Sequence, residues 1–241
     1  MAGPVAADAG THAWYIEERE YLRQEARRGR RHAYERLTPE RTALIVIDMV
    51  PFFALENRYC RGIVPNINRL ATALRAAGGL VAWVLPGGDG RPTAAAEEFL
   101  GAETARMFAA SGGDGPLRQR LWPELAVYEA DPIVTKTAAS AFFPGRSELP
   151  GLLTKRGIDT IVITGTVTNV CCEASARDAS TLGYRVIMVA DANAARRDRD
   201  HNATLYTVYR SFGDVRTADE VLALIERSGR AVPHPIAVGM S

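Results

Sequence analysis

The chain has 241 residues, which is enough for one domain with a sizeable core. Its 29 basic and 28 acidic residues leave a net charge of +1, so nothing in its charge indicates a nucleic acid or a membrane surface as a partner. Three cysteines cannot build a disulfide framework, and no signal-peptide pattern or membrane-spanning apolar run is visible. We therefore expect a cytoplasmic protein.

The first 41 residues are predicted to form an extension outside the main domain. Residues 1–12 are small and polar and are expected to be a disordered tail. Residues 14–36 have a helical, highly charged pattern in which glutamates are interleaved with arginines. This mixture favours a solvated or subunit-contacting helix over an arm that binds nucleic acid.

Strand patterns alternate with helix patterns over residues 42–230. Apolar, β-branched runs predict strands at residues 43–48, 80–85, 131–136, 161–163, 185–190 and around Val215. Helical patterns cover residues 65–77, 94–110, 149–156, 168–182, 198–211 and 219–227. Such alternation predicts an α/β domain with a parallel, doubly wound sheet. Residues 231–241 are predicted to be a C-terminal tail.

The segment IDTIVITGTVTNVCCEASARDA, residues 158–179, predicts a buried strand, a tight turn and a helix. The strand is predicted to end at Gly165, and Thr168 and Asn169 are residue types that cap helices. Cys171 would then lie in the first helical turn, where unpaired amides and the helix dipole should lower the pKa of its thiol. Cys171 is a candidate nucleophile, although a cysteine after a strand can also be a small buried residue without a chemical role.

Two further polar residues are predicted at the carboxyl ends of strands, the edge where parallel α/β sheets bind ligands. Asp48 ends the first strand, where it can also cap the next turn. Lys136 ends the third strand, where it can be an ordinary surface lysine. However, the chain has only two lysines, Lys136 and Lys155, and otherwise uses Arg where it needs a permanent cation. These three groups together can make a hydrolytic site. The thiolate attacks a carbonyl, the carboxylate carries the proton, and the ammonium holds both anions in place.

Three segments of the chain resemble the isochorismatase-like cysteine hydrolases: ALIVIDM with Asp48, IVTKTAASAF with Lys136, and GTVTNVCCEASARDA with Cys171. The resemblance extends over residues 42–225. It implies a Rossmann-like three-layer sandwich with a six-stranded parallel sheet, and a catalytic triad of these three residues. It also implies a cis peptide between Thr166 and Val167, with the amides of Val167 and Cys171 forming an oxyanion hole.

The chain departs from the family's pattern at positions that bear on its chemistry. Val50 stands where the family often has Gln, so one polar contact near the acid is missing. Nicotinamidases of this superfamily bind a metal through an Asp and histidines after the second strand, where this chain has no histidine. The histidines of the chain also lack metal-ligand spacing: His12, His32, His201 and His234. We therefore expect no metal and no cofactor.

Cys171 also bears on the substrate, because isochorismatases that cleave a vinyl ether need no cysteine nucleophile. The resemblance implies a small-molecule amide, since relatives act on ureidoacrylate, N-carbamoyl compounds, biuret and cyclic amides of the streptothricin type. We predict a hydrolase of carbon–nitrogen bonds with a thioester intermediate on Cys171, and substrate contacts from Phe53 and Phe142. We also expect a homo-oligomer, either a dimer or a tetramer. Two alternatives stay open: a vinyl-ether hydrolase of the isochorismatase type and a non-catalytic binding protein of the same fold.

Overall fold

Six parallel strands form one sheet in the computed structural model, which describes residues 9–55 and 57–229. The strands are β1 (Thr42–Ile47), β2 (Leu80–Pro86), β3 (Ile133–Lys136), β4 (Thr160–Thr166), β5 (Arg185–Ala194) and β6 (Asp214–Arg216). Their order is β3–β2–β1–β4–β5–β6, and all neighbours are parallel. The predicted doubly wound α/β sheet is therefore confirmed.

Helices cover both faces of this sheet. They are α1 (Glu18–Arg28), α2 (Pro51–Ala54), α3 (Arg58–Gly62), α4 (Val64–Ala76), α5 (Ala94–Leu100), α6 (Ala102–Ala109), α7 (Leu149–Lys155), α8 (Glu173–Thr181), α9 (Asp198–Ser211) and α10 (Ala218–Gly229). Helices α4 and α10 pack on one face, and α7, α8 and α9 pack on the other. Within the described ranges, no helix combines the length and the apolar character needed to cross a membrane.

The central strands are buried on both sides, because alternate side chains enter two different cores. In β1, Leu44 and Val46 lie in the core beneath α4 and α10, whereas Ala43, Ile45 and Ile47 lie in the core beneath α7, α8 and α9. Burying a large aliphatic side chain contributes about 1.5–3 kcal/mol. Both faces of the strand therefore favour apolar residues, which explains the continuous apolar run in the sequence.

Two of the differences in bounds between predicted and observed elements have a clear local cause. The helix predicted over residues 94–110 is divided into α5 and α6, because Gly101 between them has a φ of +80°, which an α-helix cannot contain. Strand β5 continues to Ala194 beyond its predicted end at residue 190. The Asn193 side chain makes this extension possible, since its Nδ2 donates to the carbonyls of Ile163 (2.9 Å) and Val189 (2.7 Å) beside a register shift between β4 and β5.

The charged N-terminal helix packs on α9 through one face, which corrects the expectation of a solvated helix on that side. Its other face is exposed, and a subunit contact there stays a prediction. The helix predicted over residues 14–36 is limited to α1, and Gln24 on its inner face is buried. Gln24 Nε2 lies 3.4 Å from the carbonyls of both Tyr209 and Arg210, and the ring of Tyr21 packs edge-on against Tyr209. The alternating charges in the sequence could not show this, because the partners are about 185 residues away in the chain.

The predicted disordered tail needs the same correction where the structure describes it, over residues 9–12. The amide of Gly10 donates to the carbonyl of Arg58 at 3.2 Å, and the side chain of His12 is only 2% exposed. Residues 1–8 of that tail and the predicted C-terminal tail at 231–241 lie outside the described residues.

His32 joins the N-terminal extension to the edge of the sheet. Its Nδ1 lies 3.0 Å from Asp214 Oδ1, and its Nε2 lies 3.5 Å from Glu220 Oε1. Burial alone would lower the pKa of His32, but hydrogen bonds to these two carboxylates outweigh burial and raise the pKa above 6.5. The hydrogen bond from His32 is also the main reason that the pKa of Glu220 falls to about 2.

We expect this cluster to make stability depend on pH. The stabilisation by protonated His32 is complete below about pH 6.5 and is lost as the pH rises through the raised pKa. That of Glu220 is complete above its ordinary pKa of 4.5 and is lost as the pH falls towards 2. The melting temperature should therefore fall above pH 6.5 more steeply in the wild type than in His32→Asn, by about 2–4 °C for each kcal/mol lost.

Thermal melts followed by circular dichroism from pH 5 to pH 9 measure this effect. Glu35→Gln is a suitable control, because it removes an exposed charge from the same segment. Equal slopes for the wild type and His32→Asn would contradict the role given to His32.

Candidate active site

The structure brings Asp48, Lys136 and Cys171 together at the carboxyl edge of the sheet. Lys136 Nζ lies 2.9 Å from Asp48 Oδ2 and 3.4 Å from Cys171 Sγ, and it also donates to the carbonyl of Ala138 at 3.1 Å. The three residues are 1%, 4% and 9% exposed, in chain order. One ammonium group thus contacts both a carboxylate and a thiol in surroundings that contain little water.

Asp48 and the Cys171 turn follow β1 and β4, which are neighbours at the point where the strand order reverses. Gly165 allows these strand ends to approach closely, because a Cβ atom there would lie 2.1 Å from the carbonyl oxygen of Ile47. Its φ is +113°, and β4 continues through it to Thr166 although the sequence predicts that the strand ends at Gly165. Asp48 itself has a φ of +53°, a conformation that Asp adopts more readily than most residues.

Lys136 reaches the site from the edge strand β3. Strand β2 lies between β3 and β1, so Lys136 starts about 10 Å from the strand that carries Asp48. Only a long side chain can cover this distance. After Lys136 the chain turns towards α8, where the amide of Ala141 donates to Ser175 Oγ at 2.9 Å.

Cys171 lies in a π-helical turn, Thr168–Cys172, that precedes α8. The predicted caps are therefore wrong: neither the turn nor α8 has a side-chain cap, and Thr168 Oγ1 instead lies 3.0 Å from His201 Nδ1. On the other side of Val167, Thr166 Oγ1 donates to the carbonyl of Ala194 at 3.1 Å. The Thr166–Val167 peptide bond is cis, as the resemblance implies.

Sequence reasoning did not identify several polar side chains that hold this turn. Thr166, Thr168 and Ser175 are each fully buried, and so is His201. Their one signal in the sequence is that a polar residue occurs within a buried stretch, and buried polar groups need hydrogen-bond partners. The sequence alone does not show which partners they find.

The environment of Cys171 corrects the expectation of an acidic thiol. Burial, followed by the negative charge of Asp48, raises the pKa of Cys171 to about 12, although Lys136 acts in the opposite direction. Loss of hydration therefore raises the pKa of Cys171 by more than the start of the helix would lower it. The thiol is protonated at rest, and it needs a base that removes its proton during the reaction.

Asp48 has the properties of such a base. Burial raises the pKa of Asp48, while the Lys136 charge and hydrogen bonds from Cys171 and Lys136 partly offset burial. Burial would lower the pKa of Lys136, but the charges of Asp48 and Cys171 outweigh burial and raise it, so Lys136 stays an ammonium. A proton that moves from Cys171 to Asp48 stays within the site, so the net charge of the site is unchanged. Lys136 contacts the anion both before and after the transfer, because its ammonium lies against both groups.

The other predicted site residues lie in different surroundings. Phe53 is half-buried, and substrate contact by Phe53 stays a prediction. Phe142 is fully buried, and its ring centre lies 5.7 Å from that of Tyr184, so substrate contact would require its ring to leave the core. Val50 is buried, and its amide donates to the carbonyl of Asp48 at 2.9 Å, so it constrains the backbone beside the acid.

Each histidine in the described part of the chain has a partner inside the fold. His12 contacts Asp198, His32 contacts Asp214, and His201 contacts Thr168. Within residues 9–55 and 57–229, no three His, Cys, Asp or Glu side chains are grouped in a way that could hold a metal ion. His234 lies outside the described residues.

Comparisons with known proteins agree with this fold. A model of the isochorismatase domain matches residues 42–220. The ureidoacrylate amidohydrolase RutB of Variovorax paradoxus is 34% identical over 204 residues, which cover 74% of this chain and 79% of RutB. Among solved structures, a cysteine hydrolase from Pseudomonas syringae pv. phaseolicola is 32% identical with a TM-score of 0.71, covering 82% of this chain and 97% of that one.

A second solved structure, the N-carbamoylsarcosine amidase of Thermoplasma acidophilum, is 26% identical with a TM-score of 0.60. The match covers 74% of this chain and 97% of the amidase. The domain model spans well over half of the chain, and its bounds contain all three of the side chains that meet at the sheet edge. By sequence and by fold, the chain belongs to the isochorismatase family.

Proposed function

We propose that this protein hydrolyses carbon–nitrogen bonds of small, non-peptide amides, with Asp48, Lys136 and Cys171 as its catalytic triad. The observation that carries the proposal is the position of Lys136 Nζ, which contacts both the carboxylate and the sulfur. Two similar proteins are named for ureidoacrylate and for N-carbamoylsarcosine, and both of these compounds contain a urea-type carbonyl. Ureido and N-carbamoyl compounds are therefore the first substrates to test.

In the proposed acylation step, Asp48 removes the Cys171 proton as the sulfur attacks the substrate carbonyl. The negative charge moves from the carboxylate to the sulfur and then to the carbonyl oxygen. Lys136 remains in contact with the carboxylate and the sulfur while the charge passes between them. Once the charge reaches the carbonyl oxygen, that oxygen needs donors of its own. When the tetrahedral intermediate collapses, protonated Asp48 delivers its proton to the leaving nitrogen, and a thioester on Cys171 and a free amine result.

Hydrolysis of the thioester completes the proposed cycle. Asp48 is again a carboxylate after the amine leaves, so it can take a proton from the attacking water and return it to the Cys171 sulfur. The developing oxyanion would accept hydrogen bonds from the amides of Val167 and Cys171, and one such donor can contribute about 2.7–4 kcal/mol. The overall reaction consumes one water and releases the acid and the amine.

A panel of substrates tests this function and separates it from the alternatives. It should contain an N-carbamoyl amino acid, a ureido acid, a primary amide, a lactam and a vinyl ether, with products followed by mass spectrometry. Amide turnover with a covalent adduct on Cys171 supports the proposal. Cleavage of the vinyl ether without an adduct would point to an isochorismatase-type hydrolase, and an unchanged panel would point to a binding protein.

Replacing the nucleophile should abolish turnover without disturbing the fold. We expect Cys171→Ser to lower kcat/KM by on the order of 10³-fold or more, because a hydroxyl is far less acidic than a thiol. The matched control is Cys172→Ala, which changes the adjacent, fully buried cysteine and should keep most of the activity. Intact-mass spectra should show the adduct in Cys172→Ala and not in Cys171→Ser; the reverse pattern would assign the nucleophile to Cys172.

Lys136→Arg tests whether the site needs an ammonium or only a positive charge. We expect kcat/KM to fall by about a hundredfold, because a planar guanidinium cannot fit between two groups held at 2.9 and 3.4 Å without moving one of them. Lys136→Ala should be at least as impaired. Steady-state kinetics measure the effect, and circular dichroism checks the fold. Near-wild-type turnover by Lys136→Arg would show that charge alone suffices.

A further inference from the structure

The N-terminal strap, residues 9–17, reaches the nucleophile side of the molecule through the His12 side chain. The His12 ring stacks on Tyr59 and on His201, with ring centres 3.9 and 4.2 Å apart and interplanar angles of 17° and 11°. The ring is 2% exposed, so it is built into the fold. Contacts hold the strap on both sides of this ring. The amide of Gly10 donates to the carbonyl of Arg58 before it, and after it the Asn202 side chain accepts from the amide of Tyr15 and donates to the carbonyl of Ala13.

Both ring nitrogens of His12 have defined roles. The amide of Ala195 donates to Nε2 at 3.0 Å, so Nε2 is an acceptor and the neutral ring carries its proton on Nδ1. That proton points to Asp198 Oδ1, which lies 2.6 Å from Nδ1. Ala195 is fully buried, and its amide would lose its acceptor if His12 were absent.

Two short paths lead from His12 to the turn that carries Cys171. Along the first, the stacked His201 ring contacts Thr168 Oγ1 at 3.0 Å. Along the second, the amide held by His12 follows directly on Ala194, whose carbonyl accepts from Thr166 Oγ1 at 3.1 Å. Thr166 and Thr168 lie on the two sides of Val167, so both paths act on the same turn.

The stack consists of neutral rings, which makes it a stable support at neutral pH. Burial lowers the pKa of His12 although its hydrogen bond to Asp198 acts in the opposite direction. Burial, followed by the nearby His12, lowers the pKa of His201 to about 3. Neither ring is charged at pH 7, and the two can stack without repulsion.

We propose that His12 is a positioning residue that holds the Thr166–Cys171 turn in its reactive geometry, so that the N-terminal strap completes the active site. This inference rests on the proposed role of Cys171 as nucleophile. His12 does not touch the thiol; it acts through His201 and through the end of β5. Loss of its two hydrogen bonds should loosen the turn without removing any group that reacts.

The test compares His12→Phe, which keeps a stacked ring and removes both nitrogens, with His12→Gln, whose amide oxygen can still accept from Ala195. Tyr15→Ala is the control on the same strap, because this side chain is exposed. The first measurement is the alkylation rate of Cys171 by iodoacetamide at pH 7.5, read by mass spectrometry against the wild type, with the melting temperature of each variant measured in parallel. Cys60 is unsuitable as a reference, because its Sγ donates to Thr166 Oγ1 at 3.3 Å and so contacts the same turn. The alkylation measurement needs no substrate, so it gives an answer even if the proposed amidase activity fails.

In the wild type the Cys171 thiol is protected by burial and by its raised pKa. We expect His12→Phe to increase Cys171 labelling at least about fivefold over the wild type, because a loosened turn exposes the thiol to water and brings its pKa towards the ordinary value. On an amide that the wild type hydrolyses, kcat should fall about tenfold with KM unchanged within about twofold. His12→Gln should be intermediate, and Tyr15→Ala should match the wild type.

Thr168→Val tests the first path directly, because it removes the hydroxyl that contacts His201. If His12 acts through Thr168, the double variant His12→Phe, Thr168→Val should lose much less than the product of the two single effects. Wild-type labelling and kcat in His12→Phe would overturn the proposal. So would Cys171 labelling that rises only in proportion to the fall in melting temperature across His12→Phe, His12→Gln and Tyr15→Ala, since this pattern indicates general destabilisation.

Discussion

The ion pair between Lys136 and Asp48 is the interaction on which the rest of the candidate site depends. Two charges that are buried together lose their hydration, and their mutual attraction offsets this loss only when the geometry is good. Removal of one partner leaves an uncompensated buried charge. The fold provides this geometry at 2.9 Å and places the Cys171 sulfur against the same ammonium. The pair therefore compensates burial and places one ammonium against both the carboxylate and the sulfur.

The ion pair in turn requires that the ends of separate strands meet at one edge. The close approach of Gly165 to Ile47 brings β4 against β1 just before the chain reaches Asp48. Beyond that contact, the buried hydroxyls of Thr166 and Thr168 and the imidazole of His201 hold the Cys171 turn where a helix cap was expected. Polar contacts of this kind specify one arrangement, because each buried donor or acceptor is costly when it lacks a partner.

The surroundings of the sulfur show how strongly position changes chemistry. A cysteine next to a helix start is expected to be acidic, yet burial and a neighbouring carboxylate raise the pKa of Cys171 to about 12. A thiol of such low acidity needs a base, and in the proposed mechanism that base is Asp48. Lys136 contacts the carboxylate and the sulfur through one small ammonium, whereas an arginine would present a larger planar fork of donors.

The sequence by itself determined the strand-and-helix alternation and the three residues at the strand ends, because burial on both faces of a sheet leaves continuous apolar runs and Asp48, Lys136 and Cys171 end or follow such runs. It also indicated the cis peptide through family resemblance. Only the tertiary structure decided how the N-terminal strap docks, which groups hold the Cys171 turn and in which direction the thiol pKa moves. These features arise from contacts between residues such as His12 and Asp198, which are 186 positions apart. The local sequence pattern shows which residues are buried at regular intervals along the chain. Which partner a buried polar group finds depends on the packing of residues that are distant in the sequence.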